Sequence, residues 1–169
     1  MDLGCGDGSF LVAIAREHPE RDFLGIERLV GRVRSACRKI EGAGLGNARV
    51  LRLEISYVVE RLLAPNSVST FHLMFPDPWP KRRHGSRRLV TENFLASMYR
   101  ALIADGAVRI STDDSAYFRQ ITHLVSRTPL FAVNNFPAPT SAVSKFEMRF
   151  TADRVAIHRL ELRKVSPVT

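Results

Sequence analysis

Residues 2–27 read DLGCGDGSFLVAIAREHPERDFLGIE. Met1–Leu3 is an apolar strand end that runs into a glycine turn at Gly4–Gly8. Ser9–Glu17 then has helical spacing, with Phe10 and Ile14 on one face, and Phe23–Ile26 is a second apolar strand ending in Glu27. Strand, glycine turn, helix and strand in this order open a layered α/β fold. Glycine accepts left-handed backbone and lets the main chain approach a ligand closely. Gly4, Gly6 and Gly8 are spaced D-x-G-x-G-x-G. The nicotinamide fingerprint G-x-G-x-x-G needs its third glycine where Ser9 stands, so the turn does not match it.

The alternation continues to the end of the chain. Leu29–Glu41 reads as a helix, Arg49–Leu53 as a strand, Ser56–Leu63 as a short helix and Val68–Phe75 as a strand. Glu92–Ile103 is helical, Ala107–Ser111 a strand and Ser115–Ser126 a helix. Phe131–Phe136 and Val155–Leu162 read as the last strands, returning hairpin-like through a long loop with Pro137 and Pro139 and no helix between. This predicts one α/β domain over residues 1–169, with a mostly parallel sheet, a terminal antiparallel strand and helices on both faces.

Composition narrows the partners. The formal charge is +8, and 21 of the 25 Lys and Arg residues are arginine. Arginine holds phosphate through a planar fork and stacks on bases, so the bias points to nucleic acid. Cys5 and Cys37 form no CxxC pattern, which fits reduced thiols in a cytoplasmic protein. His18, His72, His123 and His158 show no metal-ligand spacing, and no apolar run is long enough to span a bilayer. Neither a metal nor a membrane partner is therefore expected.

Ligands of open α/β sheets bind beyond the carboxyl ends of the strands. An acid recurs near that edge: Asp2, Glu27, Glu54, Asp77 and Asp113. Glu27 lies about 20 residues after the glycines, the distance at which an acid reaches ribose hydroxyls. A row of acids in a basic protein suits a cationic ligand, and S-adenosylmethionine carries a sulfonium, an ammonium and a ribose. Glu54 alone reads as a surface acid, and Asp113 and Asp114 would serve equally well as caps of the helix that follows.

Residues 75–89 read FPDPWPKRRHGSRRL. Three prolines stiffen the backbone around Asp77 and Trp79. Six basic residues follow within eight positions: Lys81, Arg82, Arg83, His84, Arg87 and Arg88. A rigid acid beside an indole suits a site that grips a flat base, and the cationic run suits RNA. Trp79 serves equally as a buried anchor.

DLGCGDG, FLGIE, FPDPWPKRRHGSRRL, STD and SKFE together resemble the bacterial tRNA (guanine-N7)-methyltransferases, and the likeness covers nearly the whole chain. The proline-basic segment is specific to that family; the glycine turn is shared by most class I methyltransferases. The resemblance implies a Rossmann-like class I methyltransferase fold, S-adenosylmethionine as donor and a guanine of the tRNA variable loop as acceptor. Carried over residue by residue, it implies donor contacts at Asp2, Gly4, Gly6, Glu27, Glu54 and Asp77, with Asp77 also the active-site acid. Acceptor contacts would fall on Lys81, Asp113, Ser144, Lys145, Phe146 and Glu147. RNA contacts would fall on Arg83, His84, Gly85, Ser86, Arg87 and Arg88. The family commonly has Glu at position 2, Asp at 54 and Thr at 144, and a further amino-terminal segment beside the cofactor. Monomer and homodimer both fit the sequence. Two other readings remain open on the residues themselves: a non-catalytic RNA-binding module with a defective cofactor pocket, and a methyltransferase for a small molecule.

Overall fold

The computed structural model describes residues 1–79, 88–136 and 143–165. Seven strands form one sheet in the order β3-β2-β1-β4-β5-β7-β6. They are β1 (Asp2–Leu3), β2 (Phe23–Glu27), β3 (Ala48–Arg52), β4 (Val68–Met74), β5 (Leu102–Thr112), β6 (Phe131–Asn134) and β7 (His158–Lys164). The helices are α1 (Ser9–Glu17), α2 (Val30–Gly42), α3 (Ile55–Tyr57, continued by a π turn over Val58–Leu62), α4 (Glu92–Ala101), α5 (Ser115–Ser126) and α6 (Lys145–Ala152). Strands β1 to β5 pair in parallel, and β7 runs antiparallel to both β5 and β6. The expected antiparallel strand is therefore β7.

The last connection differs from expectation. Residues read as loop contain α6, and β7 begins at His158 rather than Val155. The Ser144 side chain accepts a hydrogen bond from the Glu147 N–H at 3.1 Å, which starts the helix. Phe146 and Phe150 then lie one turn apart on one face and meet Phe75, at ring separations of 6.2 and 5.2 Å. The other change is at α4, which ends at Ala101 so that β5 starts at Leu102, beside Val68.

Alternation sends strand side chains to two faces. On one face Leu3, Ile26, Phe71, Leu73, Val108, Ile110, Leu160 and Leu162 build the main core with Phe94 and Met98 of α4 and Tyr117, Ile121 and Val125 of α5. On the other, α1 and α2 bury Leu11, Ala15 and Ile40 over Ala48. The register also puts a polar row on this second face: Asp2 opposite His72, His72 opposite Arg109, Arg109 opposite Glu161. His72 is buried against the Phe10 ring at 5.1 Å. Burial holds its imidazole well below its ordinary value, the Met1 amine and the Arg109 charge adding to the shift.

Candidate functional site

Strand order turns back between β1, which leads outward to β2 and β3, and β4, which leads the other way. Such a switch leaves a crevice outside the carboxyl ends. A cleft of about 420 Å³ lies there, lined by Gly4, Glu27, Glu54 and Asp77 among others. Residues distant in sequence thus share one cavity, and four of the six expected donor contacts line it.

Each is placed by local chemistry. Gly4, Gly6 and Gly8 take φ of 81°, 54° and 78°, the left-handed region that side chains disfavour. A Cβ on Gly6 would meet nothing within 4 Å, so its main chain faces open space. Glu27 is 5% exposed, and its Oε1 accepts from the N–H groups of Arg28 and Leu29 at 2.8 and 2.9 Å. That fixes the carboxylate and leaves Oε2 toward Arg32, 3.7 Å away. Glu54 is exposed and caps α3, accepting from the Tyr57 N–H at 2.9 Å while still lining the cleft. Asp2, buried in β1 just before Leu3 and Gly4, does not line the cleft, and among the described residues its buried Oδ2 has no hydrogen-bond partner. Burial pushes its carboxyl up to about 7; the α-amino group of Met1 opposes the rise and the Glu27 charge adds to it.

Asp77 is exposed at the other wall, held by a rigid loop. Phe75 and Trp79, the non-glycine residues flanking Pro76–Pro78, have φ of 54° and 43°. Such conformations cost about 1–3 kcal/mol each and persist where surroundings over-determine them. Here the Phe75 N–H donates to the Ser111 carbonyl at 2.8 Å, and Arg88 Nε donates to the Pro78 carbonyl at 2.7 Å. Arg88 also donates to Gln120 and lies 5.1 Å over the Tyr117 ring, so its guanidinium is spent bracing this loop. Lys81, Arg83, His84, Gly85, Ser86 and Arg87 lie outside the described residues.

The remaining acceptor candidates divide. Asp114, not Asp113, caps α5, accepting from the Tyr117 N–H at 2.7 Å. Asp113 lies half-buried just past the end of β5. Ser144 caps α6, and buried Glu147 accepts a hydrogen bond from Arg159. Phe146 remains half exposed. Lys145 reaches back to the glycine turn, 2.5 Å from Asp7 Oδ2, where Lys39 of α2 also pairs at 2.7 Å. Burial would raise the Asp7 carboxyl, but hydrogen bonds from Lys145, Lys39 and Ser9 outweigh it and hold it well below the usual range. This three-element junction left no local trace in the sequence, because its members stand at positions 7, 39 and 145. The Phe75–Phe146–Phe150 cluster could be sought only once residues 145–152 were known to be helical.

The residues present fit an S-adenosyl donor. The Gly4 main chain, the fixed carboxylate of Glu27, Glu54 and Asp77 line one cleft, while Gly6 and the buried Asp2 carboxyl stand beside it in the chain without lining it. Among the described residues no group of His, Cys, Asp and Glu is arranged to hold a metal ion, and no helix is long and apolar enough to cross a membrane.

Comparison with known proteins agrees with this geometry. A family model described as "Putative methyltransferase" matches residues 1–160. The chain is 34% identical to a tRNA (guanine-N(7)-)-methyltransferase of Syntrophotalea carbinolica, over 97% of its own length and 73% of that protein. It is 40% identical to the protein of the same description from Leifsonia xyli, over 88% of its own length and 65% of that protein. Among solved structures, a SAM-dependent methyltransferase from Aquifex aeolicus superposes with a TM-score of 0.67, over 97% of this chain and 80% of that one. Its 15% identity speaks for the fold alone. By sequence, the chain belongs to the tRNA (guanine-N7)-methyltransferase family.

Proposed function

We propose that this protein transfers a methyl group from S-adenosylmethionine to N7 of a guanine in the tRNA variable loop, giving 7-methylguanosine. The observation that carries the reading is the cleft that Glu27, Glu54 and Asp77 share beside the loop leading into the basic run. The names of the relatives above supply the acceptor. When bound, S-adenosylmethionine supplies an electrophilic methyl carbon. Guanine N7 has a free lone pair and no proton, so the chain needs no general base, and positioning dominates.

Glu27 is assigned to the ribose hydroxyls through Oε2, the oxygen that takes no main-chain hydrogen bond and faces Arg32 at 3.7 Å, and Gly4 and Gly6 to main-chain approach. Glu54 and Asp2 supply negative charge at the cationic end. Asp77 accepts hydrogen bonds from the N1–H and 2-amino edge of the guanine and stabilises the positive charge that develops on the ring. Asp113, Lys145 and Phe146 face the acceptor, with Ser144 and Glu147 holding their turn in place. Lys81 and the basic residues 83–87 hold phosphate. The setting is the cytoplasm, with the protein as a monomer or homodimer.

Nucleoside mass spectrometry of unmodified tRNA incubated with the chain and donor tests cofactor, acceptor and ring position together. 7-Methylguanosine is the expected product. Donor and tRNA binding without any methylated nucleoside would leave an RNA-binding module instead.

Asp2 gives a pH signature. With its carboxyl raised to about 7, it is largely neutral in the free protein at pH 6 and charged at pH 8. A cationic donor favours the charged form, so donor binding releases a proton and tightens as pH rises through about 7. The groups around it are Glu27 from β2, Cys5 from the turn, His72 from β4 and the Met1 amine. Calorimetric titrations at pH 6 and 8 should show the gain, and Asp2→Asn should flatten it. An equal slope in wild type and variant would assign the linkage to another group.

A further inference from the structure

Helix α2 carries a second cationic surface. Arg28, Arg32, Arg34 and Arg38 fall within 11 residues, and all four are exposed. Arg28 precedes the helix by two positions, and at 1.5 Å rise per residue Arg32 to Arg38 extend over about 9 Å. Arg34 and Arg38, one turn apart, stand opposite the helix face that buries Ala36 and Ile40. Arg28 and Arg32 reach the cleft and line it. Arg52, exposed at the end of edge strand β3, is in register with Glu27 and widens the surface.

These charges are uncompensated. Among the described residues, Arg28, Arg34, Arg38 and Arg52 have no carboxylate within ion-pair distance, and Arg32 meets only Glu27 at 3.7 Å. The arginines of the sheet behave differently: Arg109 and Arg163 share Glu161, and Arg159 takes Glu147. Like charges one helical turn apart destabilise a helix. Arg34 and Arg38 therefore repel each other with no ion pair among the described residues to offset it.

We infer that this ridge binds the phosphodiester backbone of the RNA substrate, on the β2 side of the cleft. Trp79 and Leu89, which bracket the basic run, line the same cleft from the β4 side. The ridge then holds the acceptor strand along the β2 wall while its guanine enters the cleft. Arginine, with its two-pronged grip on phosphate, is the residue type this requires. The inference rests on the RNA-methylation reading and extends it to a surface outside the cleft.

The test is fluorescence anisotropy of labelled tRNA against the full chain over a salt series. Arg34→Ala combined with Arg38→Ala should weaken binding several-fold and reduce the slope of log affinity against log salt by about 1.4–1.8, the loss of two phosphate contacts. The S-adenosylmethionine affinity of the double variant should match wild type, which reports an intact cleft. Arg119→Ala, on the far face in α5, serves as control and should leave the slope alone. Unchanged tRNA affinity and slope in the double variant overturn the inference while the methylation reading stands. If tRNA binding is unchanged but retention on immobilised polyglutamate is lost, the ridge belongs to an acidic protein and the inference also fails. Absence of tRNA binding by the wild type would sink both readings together.

Discussion

Asp77→Ala should lower the turnover of guanine methylation about 10²–10³-fold, the range seen when one preorganised electrostatic group is removed from a reacting centre. The loop delivers this carboxylate to the cleft wall at a conformational cost. Two non-glycine residues in left-handed backbone flank it, and hydrogen bonds from Phe75 to Ser111 and from Arg88 to Pro78 hold it. Strain of this kind is retained where a side chain must be aimed. The tRNA affinity should stay near wild type, because phosphate contacts are made elsewhere. Asp77→Asn keeps one acceptor oxygen and should fall between the two. The check is single-turnover methyl transfer at saturating tRNA beside direct tRNA binding. A normal rate in Asp77→Ala would remove Asp77 from the site.

Gly8→Ala should destabilise the fold by about 2–5 kcal/mol, a large share of the stability of a domain this size. Two terms add. The residue has φ of 78°, where a side chain costs about 1–2 kcal/mol. Its Cβ would also lie 2.6 Å from the Ala36 Cβ and 2.8 Å from the Ala36 Cα, a clash with α2 worth about 1–3 kcal/mol because backbone must move. Gly6→Ala separates function from stability. It carries only the φ cost, since nothing lies within 4 Å of its Cβ position, yet it fills space on the proposed donor side. Urea melts should therefore show a large loss for Gly8→Ala and a small one for Gly6→Ala, with the donor affinity falling in the latter. Equal melts for the two variants would show that α1 and α2 are not packed through Gly8.

Much of this was readable in the chain. The period of the apolar residues marked β2, β4, α1 and α5 close to their observed limits, because each buries one face against the same sheet. Of the acids that recur near strand ends, Glu27, Glu54 and Asp77 line the cleft and Asp2 and Asp113 do not, although parallel strands send all their carboxyl ends to one edge. Helix α6 was missed because Pro137 and Pro139 and the polar residues around it read as loop; its start depends on a cap from Ser144 and its packing on Phe75, a residue about 70 positions away. Whether Asp113 and Asp114 cap the following helix or serve the site was undecidable locally, because both roles suit an acid after a strand; in the structure Asp114 takes the cap.

Local chemistry settled from sequence alone what most segments are: a strand with a glycine exit, an acid near the ends of the first five strands, a stiff proline loop and a family signature across them. Tertiary structure decided which of these meet. It joined Asp7 to Lys39 and Lys145, turned Arg88 inward, set Glu27 and Asp77 across one cavity and left Arg34 and Arg38 of α2 without ion pairs among the described residues. The physical reason is range. Periodicity and capping act over one or two turns of chain, whereas ion pairing and cavity lining depend on segments that only sheet order brings together.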